Sequence, residues 1–100
     1  MPRLLAVGHV TWDLTQGQHV LGGSVSYATL AARKLGWEAA ALTSAAADFD
    51  PARDLPDVTV VRSDSIATTR FAHVYGPDGV RHQVLSARAD ALDFGRLPGA

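Results

Sequence analysis

The stretch Gly22-Gly23-Ser24-Val25-Ser26-Tyr27-Ala28, running on to Gly36, decides how this chain is read. Ahead of it lies a short apolar segment from Leu4 to Val10 that includes Gly8, followed by an acid, Asp13. A strand that stops, an acid just past it and a glycine pair opening a helix together describe a polar ligand site in an α/β protein. Glycines let the backbone approach a ligand and take positive φ without steric cost. The helix they open turns free N–H groups and the positive end of its dipole towards that ligand. Asp13 supplies an acceptor suited to hydroxyl groups, so a small polyol is the expected ligand.

Working outward, residues 3–10 read as a buried strand and residues 14–23 as a connection broken by Gly17 and the glycine pair. The spacing predicts a helix over 24–36, with Val25, Ala28, Ala32 and Leu35 on one face, Ser24 as its cap and Gly36 just past its end. Glu38–Ser44 is a second strand. Asp50-Pro51 starts a short helix that Pro56 stops, and Val58–Arg62 is a third strand. Thr68–Tyr75 and Val80–Leu85 form a hairpin around Gly76-Pro77-Asp78-Gly79. The tail from Ala87 suggests a helix start near Asp90 and ends on Pro98-Gly99.

These elements imply an α/β fold with a mainly parallel sheet and flanking helices, which normally covers both sheet faces. One solid helix and one stub leave a face bare. That imbalance points to the N-terminal part of a larger protein, or to a chain that lives with a partner.

The chain has 100 residues, 47% hydrophobic and 19% charged, with a net charge of −1, as expected of an ordinary globular domain. Charge so evenly mixed argues against nucleic acid or an anionic membrane surface as partner. The sequence has no cysteine, which excludes disulfides and thiolate metal sites and suits a reducing cytoplasm. No apolar run reaches the roughly 18 residues of a membrane span, and the first is too interrupted for a signal peptide.

The order Gly8 to Asp13, the Gly22-Gly23 pair opening a helix, and Thr68-Thr69-x-Phe71-x-x-x-Tyr75 resemble the N-terminal part of ribokinase-like (PfkB-type) carbohydrate kinases. The resemblance runs over most of residues 1–100. It implies ATP-dependent phosphorylation of a sugar, nucleoside or cyclitol hydroxyl, with Mg2+, in the cytoplasm. It further implies that this chain is the substrate-binding part of a ribokinase-like domain. Asp13 would hold substrate hydroxyls, and the Gly22 and Gly23 backbone would lie against the substrate. Tyr27 stands where the family carries an asparagine, which replaces an amide by a phenol and its aromatic face and implies an altered specificity. The stretch from Asp13 to Gly22 is shorter than the one that supplies lid strands in the family. A reduced lid is expected, with the 68–85 hairpin as what remains of it.

The family's Gly-x-Gly-Asp segment, whose aspartate acts as general base, does not occur between Met1 and Ala100. No catalytic residue is therefore assigned, and the chain alone is expected to hold an acceptor without phosphorylating it.

Other residues read more plainly. Phe71, His73 and Tyr75 share a strand face by alternation, as a half-buried aromatic face or as a cover over a ligand. His9, His19, His73 and His82 lack metal-ligand spacing, so no metal site is expected. Asp50 is a helix cap, Asp48 a weaker site candidate, and Arg88 a solvated cation or an anion contact. Two alternatives stand beside the kinase reading. One is a non-catalytic binding module of the same fold; the other is a dinucleotide-binding half-domain, against which GHVTWD replaces the G-x-G-x-x-G turn.

Overall fold

The computed structural model describes residues 2–75, 77–79 and 81–96. The expected roles of the Tyr75 side chain, of Gly76 and Val80 in the turn, and of Pro98-Gly99 lie outside the described residues. A three-stranded parallel sheet holds β1 (Arg3–Val7), β4 (Glu38–Ala45) and β5 (Thr59–Asp64) in the order β1-β4-β5. A four-stranded sheet holds β2 (Thr11–Thr15), β3 (Gln18–Gly22), β6 (Thr69–Tyr75) and β7 (Arg81–Ala87) in the order β3-β2-β6-β7. The helices are α1 (Ser24–Lys34) and the one-turn α2 (Pro51–Asp54). Together the elements make the expected α/β architecture with a parallel sheet.

The first strand is shorter than residues 3–10 and is not buried throughout. Gly8 N–H still donates to the Leu42 carbonyl, but Val10 N–H turns to the Thr43 hydroxyl at 3.0 Å. A fully buried Val10 thus marks where the chain leaves one sheet and enters the other.

The stretch read as a connection is a hairpin instead. Gln16 and Gly17 have φ of 50° and 77°, the pair of positive values that a two-residue turn needs to match strand twist. β2 and β3 pair from Thr11↔Gly22 to Thr15↔Gln18. The second sheet is therefore built from both hairpins, joined by parallel pairing of β2 with β6, and is not confined to residues 68–85.

Helix α1 begins where the glycines predict, but its cap differs. The N-cap is Gly23, at φ 90° and without a side-chain cap, and Ser24 is the first helical residue. The polar side chains turn inward instead: the Ser26 hydroxyl donates to the Gly22 carbonyl and Thr29 to the Val25 carbonyl, both at 2.8 Å. The buried stripe is Val25, Ser26, Thr29 and Ala32, and Leu35 is 68% exposed. At the far end Gly36, at φ 78°, closes a Schellman motif: Trp37 N–H donates to Ala32 and Gly36 N–H to Arg33.

The core gathers Val10, Val25, Ala41, Ala45, Phe49 and Leu55, with Ala6, Leu30 and Val60 packed against it. It lies on the α1 side of the parallel sheet. On the other side Leu5 and Val7 are 44% and 41% exposed, as the imbalance of helices led us to expect. The tail forms a short 3-10 turn, Phe94–Arg96, in place of a helix near Asp90. Among the described residues no helix is long and apolar enough to cross a membrane.

Candidate functional site

Gly8-His9-Val10 carries the chain off the carboxyl end of β1, and the next strand presents Thr11 and Asp13 on one face of the second sheet. The Thr11 hydroxyl donates to Asp13 Oδ1 at 2.8 Å, which fixes the carboxylate and leaves Oδ2 for other partners. Gly22 sits opposite Thr11 in the hairpin. A Cβ at Gly22 would overlap Asp13 Oδ2 and the Thr11 hydroxyl, so the carboxylate occupies space that only a glycine leaves open. A Cβ at Gly23 would overlap the His9 carbonyl oxygen. The pair therefore does two different jobs: Gly22 admits the acid, and Gly23 lets β1's exit and the helix start touch.

The result brings Asp13, Gly22 and Gly23 together at the N-terminus of α1, where the first-turn amides point outward with the positive end of the dipole. Ligands of open α/β sheets bind outside the carboxyl ends of the strands, and this junction lies there. Tyr27 is on the same helix, one turn in, and is 63% exposed. Its backbone N–H donates to the Gly23 carbonyl at 3.3 Å, and no described hydrogen bond joins its phenol to Asp13 or to the glycines.

Two residues that the sequence marked only weakly find partners in the structure. His73 Nε2 lies 3.8 Å from Asp13 Oδ2, with side chains 13% and 22% exposed. Parallel pairing of Asp13 with Phe71 sets His73 on the same face, and nothing local in the sequence announces that pairing. The alternation of Phe71 and His73 was visible; the strand they would face was not.

The second is Asp48, which lies apart from Asp13. Its carboxylate takes the Thr68 hydroxyl at 2.5 Å and an ion pair from Arg70. The same Thr68 hydroxyl accepts from Ala46 N–H at 2.9 Å. Asp48 therefore ties the base of β6 to the loop after β4. Within Asp48-Phe49-Asp50 every residue is occupied, since Phe49 is core and Asp50 caps α2 by accepting from Ala52 N–H. Trp12, His19, Asp48 and Arg70 line a hollow of about 300 Å3 on the sheet face opposite Asp13. Arg88 lines a separate hollow with Ala89, Asp90 and Ala91. Among the described residues no group of three or more His, Asp or Glu could hold a metal ion.

No known family's sequence profile matches the chain, and no curated protein matches it by sequence. Solved structures do match. A fructokinase from Vibrio cholerae O395 superposes with a TM-score of 0.71 at 19% identity, over 93% of this chain and 38% of that one. A pyrophosphate-dependent kinase of the ribokinase family, solved with a pyrophosphate analogue and myo-inositol, gives 0.60 at 21% identity, over 91% and 34%. The chain thus spans a little over a third of the length of these proteins. At these identities the likeness is one of fold: the chain has the architecture of the N-terminal portion of ribokinase-like kinases.

Proposed function

We propose that this chain is the acceptor-binding part of a ribokinase-like kinase that phosphorylates a sugar, nucleoside or cyclitol hydroxyl. The observation that supports it most is the Asp13 carboxylate, fixed by Thr11 and seated in the space Gly22 leaves beside the N-terminus of α1. A fixed acceptor next to outward-pointing amides suits a ligand rich in hydroxyl groups. Asp13, Gly22 and Gly23 hold the acceptor in this reading, and Tyr27 borders it from the exposed side of the helix. The domain that residues 1–100 begin is completed by a catalytic and donor-binding part, which also covers the Leu5 and Val7 face of the sheet. A cytoplasmic setting goes with the same reading.

In the family the chain resembles, ATP with Mg2+ supplies the transferred phosphoryl group. This reading puts the donor site outside residues 1–100, and we assign the donor no step on this chain. Three of the matching structures are described as pyrophosphate-dependent kinases, so pyrophosphate is the second donor to offer in any assay. What residues 1–100 contribute is acceptor binding and orientation.

The test is binding to the full chain, read by ligand-observed NMR with myo-inositol and D-fructose as probes. Binding that Asp13→Ala removes, with the fold intact, is the expected result. Unchanged binding in that variant would sink the site assignment. A non-catalytic module of the same fold would bind a probe in the same way, yet show no turnover with ATP or pyrophosphate in the longest natural form of the protein.

A further inference from the structure

We propose that a single hydroxyl of the acceptor bridges Asp13 Oδ2 and His73 Nε2, so that this pair recognises an alcohol by requiring a donor and an acceptor in the same group. The inference rests on the acceptor-site reading above and adds a residue and a selection rule to it.

The separation carries the argument. At 3.8 Å the imidazole nitrogen and the carboxylate oxygen are too far apart to bond directly. They are close enough for one oxygen atom to lie at about 2.8 Å from both, the normal length of such hydrogen bonds. An alcohol there donates its proton to Asp13 Oδ2 and accepts from His73 Nε2–H in that tautomer. A carbonyl or ether oxygen only accepts, and an ammonium only donates, so neither satisfies both sides.

Three further features favour this use. Asp13 Oδ1 is already taken by Thr11, which leaves Oδ2 as the free acceptor. Gly22 removes the side chain that would fill the space beside Oδ2. His73 and Asp13 are both mostly shielded from solvent, where a bridging group is screened little and an unmade bond is costly. His73 thus shapes specificity at this site, while Asp13 remains the principal contact.

The experiment measures the affinity of myo-inositol and D-fructose for the full chain and for His73→Phe, His73→Gln and Asp13→Ala, with amide spectra confirming the fold of each. His73→Phe keeps a ring but removes the nitrogen, and should weaken binding about tenfold, the value of one hydrogen bond. His73→Gln restores a donor and should recover most of that loss, which a purely structural role would not do. Binding lost in Asp13→Ala but unchanged in both His73 variants would overturn this inference and leave the acceptor site standing. A wild-type chain that binds neither probe would overturn both.

Discussion

The two sheets of this molecule are built for different purposes. The parallel sheet β1-β4-β5 carries α1 and α2 on one side, and most of the buried apolar side chains lie there, Phe49 and Ala41 among them at zero exposure. The four-stranded sheet meets α1 at the end of β3, and among the described residues no helix covers its faces. Leu14 and Val84 are exposed on one of its faces, and Val20 and Leu85 on the other. Yet both shielded side chains of the candidate site, Asp13 and His73, come from this second sheet, while the first supplies only backbone through Gly23 and the start of α1. In the proposed reading stability and recognition are separated: the body would fix where the ligand lies, and the thinner sheet would select it.

The sharpest way to break this comparison is to delete mass from each side. Phe49→Ala should cost about 4 kcal/mol, because a fully buried aromatic leaves a cavity in the body. Val84→Ser on the thin sheet should cost under about 0.5 kcal/mol, since half its surface is already wet. Equal losses in urea unfolding would show that the two sheets share one core.

Gly23→Ala comes next, at about 3 kcal/mol, through its φ of 90° and the overlap with the His9 carbonyl. Gly22→Ala is the informative partner. There the obstacle is mainly the movable Asp13 carboxylate, so polyol binding should fall further than stability does.

Thr68→Val tests the join between the sheets. The hydroxyl is 1% exposed and serves both Ala46 N–H and Asp48, so removing it strands a backbone donor and frees one end of an ion pair. A loss of about 2 kcal/mol is expected, with amide exchange at β6 rising before exchange at β4 does.

The body was legible in the sequence and the thin sheet largely was not. The helix from Ser24, the glycine stop at Gly36, the Asp50-Pro51 start and the strand over Glu38–Ser44 are local signals, each set by residues a few positions apart. The β2–β3 hairpin escaped because its turn is Gln16-Gly17, without the usual Asn or Asp, and its strands alternate weakly. Ser24 reads as a cap by type, but Gly23 is needed at that position to pass the His9 carbonyl, which no local pattern reveals. Asp13, Gly22 and Gly23 were visible as a cluster because the chain turns back on itself within ten residues. His73 reaches Asp13 only through a parallel pairing sixty residues away, and such non-local contacts leave no periodicity to read.

The smallest effect concerns acid and the one-turn helix α2, which belongs to the body. Asp54 accepts from Arg53 and from the Asp50 backbone N–H, and the Arg53 hydrogen bond above all holds its carboxyl below the ordinary value of 3.8. A carboxyl depressed in the folded state adds stability that is present above its unfolded pKa and is lost as pH falls through the folded one. Unfolding free energy measured at about pH 6 and about pH 3 should therefore drop further in the wild type than in Asp54→Asn, by under about 1 kcal/mol for a pair this near the surface. An identical drop would mean that the contact holds no more of the body together in acid than water does. Because Phe49 and Leu55 flank α2 in the core, a larger drop would instead show this short turn clamping the whole body, and would narrow the contrast between the two sheets.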